Sequence, residues 1–161
     1  MNQTKIIVQV SDAQVSNDPG GVIVTYSLGS CIGVCLWEPK LHVGGMLHYQ
    51  LPEAKLHPDR AREHPFMFAD TGMDRLLKQM GNLGCQTRQL KAWIAGGAEM
   101  HTGPKGFDIG KRNRLAIQKI LWRHGMFIEG EDVGGHVARH LSLDIDTGLV
   151  TVRSQGVAKT L

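Results

Sequence analysis

Cys31 follows Leu28-Gly29-Ser30 and is separated from His48 by two strand-like runs, Ile32–Trp37 and Val43–Tyr49. Brought together, a cysteine and a histidine make a nucleophile and its base. The thiolate is the reactive form, and a free cysteine with a pKa of ~8.5 is mostly protonated at neutral pH. An adjacent imidazole can take that proton and later return it to a leaving amine. Such a pair is expected to rest as thiolate and imidazolium and so to lower the pKa of Cys31. Gly29 and Ser30 give a small, flexible approach whose backbone N–H groups could face a developing oxyanion.

Spacing supplies the reason to pair them. With Pro39 and Lys40 at the tip of a hairpin, or with a four-residue loop over Glu38–Leu41, Cys31 stands directly opposite His48. Opposed residues share one face, with Cβ atoms roughly 4.5–5.5 Å apart. A three-residue loop, or a bulge at Gly44-Gly45, shifts that register by one. On spacing alone the pair fits a buried cysteine beside a satisfied histidine equally well. Cys35 would lie on the face of Cys31 but roughly 13 Å along the strand, too far for a disulfide. Cys35 and Cys85 read as core residues. A zinc site from Cys31, Cys35 and His48 lacks both a paired CxxC and a helical His-x-x-x-His, and no cofactor is called for.

The surrounding elements are expected to be mostly strands. Apolar, β-branched runs predict strands at Lys5–Val10, Val22–Tyr26, Gln89–Ala95, Met126–Glu129, Ala138–Ile145 and Leu149–Ser154. Turn residues mark Ser11–Gly21 as a surface loop, and residues 53–65 read as an exposed, basic one. One helix is expected from a Thr71 cap with Asp74 three residues on, carrying Met73, Leu76, Leu77 and Met80 inward. A second should span about Lys111–His124, with Leu115, Ala116, Ile120 and Leu121 inward. Gly96-Gly97 and Gly134-Gly135 lack nucleotide-loop spacing and read as turns or sites of close backbone approach. The sum is one α/β (α+β) domain over residues 1–161, a layered sandwich with a mixed, largely antiparallel sheet and at least two helices.

Composition narrows the class. The 161 residues are 42% hydrophobic and 20% charged, ordinary for a globular chain. MNQTKIIVQV does not read as a targeting signal, no run is long enough for membrane insertion, and three cysteines suit a reducing, cytoplasmic setting. A net charge of +3 argues against a nucleic-acid binder. Lys111, Arg112, Arg114, Lys119 and Arg123 crowd one helix with no acid among them. They read as a solvated face or as a surface for an acidic partner.

The run Thr25-Tyr26-Ser27-Leu28-Gly29-Ser30-Cys31, then Gly44-Gly45-Met46-Leu47-His48 through Leu51-Pro52, resembles the chemoreceptor glutamine deamidase family, CheD. The likeness continues through Asp70, Gly72-Met73, Gly96-Gly97-Ala98 with Met100, Ile109-Gly110, Arg112-Asn113, Glu131-Asp132, Gly134-Gly135, Arg139 and Thr147-Gly148. Phe68 stands where family members often carry Tyr. The resemblance implies Cys31 as nucleophile, His48 as base and Thr25 as the third, orienting member. On residue type alone, Thr25 reads as a structural strand residue. The resemblance also implies a fold like that of cytotoxic necrotizing factor hydrolases, and methyl-accepting chemotaxis proteins as substrates. A CheC-type phosphatase is the further implied partner. The alternative it leaves open is a regulator of that phosphatase, with deamidase or glutamyl methylesterase activity secondary.

Overall fold

Strands β4 (Ile32–Glu38) and β5 (Val43–Tyr49) are buried at every position, which requires cover on both faces. The structure, a computed structural model, describes residues 3–100 and 108–161. In it β4 and β5 lie inside a five-stranded sheet with β2 (Asp12–Ser16), β6 (Lys91–Gly96) and β7 (Ile128–Val133). Its order is β2-β5-β4-β6-β7. Helices α2 (Ala69–Asn82) and α3 (Ile109–Arg123) cover one face of this sheet. A second sheet covers the other, built from β1 (Thr4–Val8), β3 (Gly21–Leu28), β8 (Arg139–Asp144), β9 (Val150–Ser154) and β10 (Val157–Thr160) in the order β1-β3-β8-β9-β10. Among the described strands only β1–β3 and β6–β7 pair in parallel. The α+β sandwich is as expected, with two sheets in place of one.

Alternation along each strand divides the interior into two cores. Ile32, Val34, Leu36, Leu47 and Tyr49 face the helices and meet Met73, Leu76, Met80, Ile117 and Leu121. Cys35, Met46 and Trp93 face the second sheet and meet Ile23, Leu28, Leu141, Leu143 and Val152. Cys35 is fully buried, as a core residue should be, and Cys85 packs partly buried against the helix-side core. Glycine sets the spacing between the sheets. A Cβ on Gly44 would stand 2.5 Å from Ile145 Cδ1 and 2.9 Å from Leu143 Cδ2.

Several local expectations are corrected. The Ser11–Gly21 loop contains β2, and β10 follows Leu149–Ser154; both are short edge strands with polar residues and little periodic signal. Residues 53–65 hold a 3-10 turn (Ala54–Leu56) and helix α1 (Pro58–Glu63), which buries only Ala61, and a second 3-10 turn follows at Pro65–Met67. Helix α2 starts at Ala69, so Thr71 lies inside it and its hydroxyl donates to the Pro65 carbonyl instead of capping. The inward face of α3 is Gly110, Asn113, Ile117 and Leu121. Leu115 stands at the surface, while Ala116 and Ile120 pack at the edge of the core.

The hairpin register also differs. Glu38 pairs with Val43, so the loop is Pro39–His42 and Gly33, not Cys31, lies opposite His48. The Glu38 carboxylate accepts the Leu41 N–H at 2.5 Å, and His42 takes a left-handed φ of 52° to re-enter the strand. These contacts move the turn centre by one residue and every pairing sum by two. The face is preserved, because a slip of two returns each side chain to the same side. Gly44→Ala should overpack the contact between the sheets and cost about 1–3 kcal/mol, read as a lower midpoint in urea unfolding; an unchanged midpoint would mean that the sheets tolerate wider spacing.

Candidate active site

Thr25 ends the regular part of β3, just before an irregularity between Thr25 and Leu28. Its side chain points from the second sheet across to His48 on β5. Thr25 Oγ1 lies 2.8 Å from the carbonyl oxygen of Val8, its register partner on β1, and 2.7 Å from His48 Nδ1. A hydroxyl has one hydrogen, and a carbonyl can only accept. The Thr25 hydroxyl therefore donates to Val8, and its oxygen accepts a hydrogen bond from His48 Nδ1–H. This fixes the neutral tautomer, leaving the lone pair on Nε2. That Nε2 is buried and has no hydrogen-bond partner among the described residues. A buried polar atom left unpaired costs about 1–3 kcal/mol, and an orphaned imidazole nitrogen is the form a waiting base takes.

Cys31 stands one residue before β4, on the side of the pleat shared by Gly33 and His48. It is diagonal to the imidazole instead of opposite it, a relation in which Cβ atoms are roughly 7–8 Å apart or somewhat less. The residue is half-buried and packs against the core between the sheets. Its backbone is pinned at three points. The Gly29 carbonyl accepts the Ala98 N–H at 2.9 Å, the Ser30 carbonyl accepts Asn113 Nδ2–H at 2.9 Å, and the Cys31 carbonyl accepts the Gly97 N–H at 2.8 Å. Gly96 makes the last contact sterically feasible: its φ is 111°, and a Cβ there would sit 2.1 Å from the Cys31 oxygen. Arg139 holds this region from behind, donating to the Gly96 and Gly134 carbonyls.

The expected oxyanion support is redistributed. The Gly29 N–H goes to the Ser27 carbonyl at 3.1 Å, and Met100 packs over the Gly29 α-carbon. Among the described residues the Ser30 and Cys31 N–H groups meet no main-chain acceptor. The Gly29 N–H is thus engaged within its own loop, while the Ser30 and Cys31 N–H groups are left without a main-chain acceptor among the described residues.

The expected charge state is also corrected. Burial pushes the Cys31 thiol up to about 11, opposed by its own N–H, which hydrogen-bonds the sulfur. Burial pushes His48 down to about 4, opposed by the negative charge of Asp12, its register partner on β2. A dry site disfavours both ions, so the resting pair is neutral thiol and neutral imidazole. Cys35 is raised further by complete burial, and Cys85 is raised by burial and by Glu38.

Two groups that contact the site were not among the expected site residues: Asn113, which shares the buried face of α3 with Ile117 and Leu121 and bonds the Ser30 carbonyl, and the Val8 carbonyl, which accepts from Thr25. A polar residue at helical spacing among inward positions was the available signal for the first. A main-chain carbonyl has none. Of the basic residues on α3, Lys111, Lys119 and Arg123 are exposed, whereas Arg114 is half-buried with its Nε enclosed.

The sequence model of the CheD family, described as chemotactic sensory transduction, matches residues 50–154. A probable chemoreceptor glutamine deamidase CheD of Solibacter usitatus is 47% identical over 98% of this chain and 93% of its own length. A probable chemoreceptor glutamine deamidase CheD 1 of Syntrophus aciditrophicus is 44% identical, covering 94% of each chain. The chemoreceptor glutamine deamidase CheD of Thermotoga maritima is 38% identical over 98% of this chain and 96% of its own. These relatives extend the match across the segment that holds Thr25, Cys31 and His48.

His48 sets a stability window. Unfolding returns it from about 4 to the ordinary 6.5, so the unfolded chain binds the proton more readily. The contribution is full above pH 6.5, declines as pH falls toward 4, and amounts to about 3 kcal/mol. Urea unfolding at pH 7 and pH 4 should therefore show a smaller acid loss in His48→Gln than in the parent. Equal losses would mean that His48 is not held neutral.

Proposed function

The chain belongs to the CheD family, and from that membership we propose that it is a chemoreceptor glutamine deamidase with Cys31 as nucleophile, His48 as base and Thr25 as orienting residue. The observation that carries the reading is the Nε2 of an imidazole, without a partner among the described residues, whose other nitrogen is tied to Thr25. It shares its face of the pleat with Cys31, a half-buried cysteine at the entry to β4 that packs against the core between the sheets, whereas Cys85 lies beyond α2 and packs on the helix side.

The cycle starts from the neutral pair. As Cys31 Sγ bonds to the carboxamide carbon of a receptor glutamine, its proton passes to His48 Nε2 and the carbonyl oxygen becomes an oxyanion. Coupling transfer to attack avoids a resting ion pair that burial disfavours. The imidazolium then gives its proton to the amide nitrogen, the C–N bond breaks, and ammonia leaves. Water attacks the thioester as His48 takes one of its protons, and expulsion of the protonated thiol leaves glutamate. Asp12 lends negative charge on the His48 side while the imidazolium exists. Thr25 keeps Nδ1 protonated throughout, so Nε2 is always the nitrogen that exchanges protons.

Family membership supports a cytoplasmic setting and methyl-accepting chemotaxis proteins as the substrates. A CheC-type phosphatase is a further partner on the resemblance alone. Among the described residues no helix is long and apolar enough to cross a membrane. A γ-glutamyl methyl ester presents the same acyl carbon, so esterase activity is a variant of the same chemistry.

The deciding experiment is mass spectrometry of a purified receptor incubated with the protein. A gain of ~1 Da at defined glutamines, with ammonia release, is expected from the parent chain. Cys31→Ala should give neither, and Cys35→Ala should retain both while losing stability to a cavity. Deamidation by folded Cys31→Ala would refute the assignment; a parent chain that binds receptor or phosphatase but releases no ammonia would make it a regulator. His48→Ala should slow the reaction by about 10²–10⁴-fold, and Thr25→Val by less, with Thr25→Ser recovering most of the rate. Equal losses for Thr25→Val and His48→Ala would give Thr25 more than an orienting part.

A further inference from the structure

Asn113 is fully buried on α3 and does not belong to the cysteine–histidine–threonine set. Its side-chain amide spends both hydrogens on main-chain carbonyls, Ser30 at 2.9 Å and Gln50 at 2.8 Å. The amide cannot be turned over, because both neighbours only accept. The main-chain carbonyl of Asn113 accepts the Tyr49 hydroxyl at 2.6 Å. That arrangement leaves Asn113 Oδ1 buried without a partner among the described residues. Asparagine is also a weak helix former. An inward position on a helix is occupied by a residue that serves neither helix propensity nor full polar satisfaction, so what the NH₂ group holds becomes the question.

It holds the peptide before the nucleophile. No described peptide is cis, and in a planar trans unit the C=O and the following N–H point in opposite directions. With the Ser30 carbonyl drawn toward α3, the Cys31 N–H is turned away from the helix. There it meets no main-chain acceptor among the described residues and lies against the Cys31 sulfur. An acyl group on that sulfur places its carbonyl oxygen beside the same N–H. The second hydrogen bond fixes Gln50, two residues beyond His48 at the end of β5. One amide thus sets the nucleophile loop and the strand carrying the base in a common frame.

We propose that Asn113 is a positioning residue for acyl transfer: by holding the Ser30 carbonyl it aims the Cys31 N–H at the oxyanion formed when Cys31 attacks the glutamine carboxamide. The proposal rests on the assignment of Cys31 as nucleophile, and two reactions of the same thiol separate it from a merely structural role. Deamidation passes through an oxyanion. Alkylation by iodoacetamide displaces iodide at a saturated carbon and forms none.

In the full-length chain, Asn113→Ala should lower kcat for receptor deamidation by about 10²-fold, the scale of one oxyanion donor. KM and the rate of Cys31 alkylation should change little. Asn113→Ser, a smaller perturbation, serves as the second variant, with circular dichroism and thermal melting confirming the fold of each. An unchanged kcat, or alkylation and deamidation falling together, would overturn the proposal. Unfolding of both variants would overturn it as well, by assigning Asn113 to stability. Cys31→Ala run in parallel keeps the two claims apart. If it still deamidates, the nucleophile is wrong; if it is inactive while Asn113→Ala retains full rate, only the positioning role fails.

Discussion

The hydrogen bond from His48 Nδ1–H to Thr25 Oγ1 joins the two sheets at the point where the chemistry is placed. It works only because the Thr25 hydrogen is already committed to Val8, its parallel partner on β1. Remove that carbonyl and the hydroxyl could donate to the imidazole, moving the ring proton to Nε2 and silencing the base. The bond also needs the sheets close together, which glycine at positions 33 and 44 permits: a Cβ on either would press within 3 Å of side chains from the opposing sheet. Sheet spacing, a parallel strand pair and a single hydroxyl hydrogen thus converge on one ring nitrogen.

Burial gives the site its electrostatic character. The same desolvation that pushes the thiol up pushes the imidazole down, so charge is withheld until a substrate carbonyl can share it. In a water-poor site, fixed N–H dipoles and the Asp12 carboxylate act more strongly on developing charge than they would in solvent. An unpaired Nε2 costs stability, and the surrounding core offsets it. The fully buried β4 and β5, packed on both faces, supply the rigidity that keeps the ring in place. Around Cys31 the backbone is held by Gly97 and Ala98 after β6 and by Asn113 on α3, two different parts of the chain.

Parts of this were legible in the residues. Continuous apolar runs announced β4 and β5, and Met73, Leu76 and Met80 announced the buried face of α2. The face shared by Cys31 and His48 survived a wrong turn centre, because the true turn, set by the Glu38 carboxylate and the left-handed His42, slips the register by two. Other features depend on partners distant in sequence. The edge strands β2 and β10 are polar and short, and their pairing comes from neighbours, not from their own pattern. On α3 the inward face was read one step around the helix, which hid Asn113 behind Leu115. The charge state of the pair was inverted because a cysteine and a histidine in sequence carry no record of how dry two sheets make them. Thr25 is a strand residue by type; the orienting part proposed for it comes from the resemblance, and its hydrogen bonds to Val8 and His48 are consistent with that part.

The most direct measurement is ¹⁵N NMR of the imidazole rings across pH 4–8, with His48 assigned by comparison with His48→Gln. The account predicts that His48 remains neutral well below pH 6.5, with its proton on Nδ1 and Nε2 showing the shift of an unprotonated ring nitrogen. It further predicts that Thr25→Val weakens this tautomeric preference. An Nε2–H tautomer in the parent chain, or titration of His48 near 6.5, would contradict it.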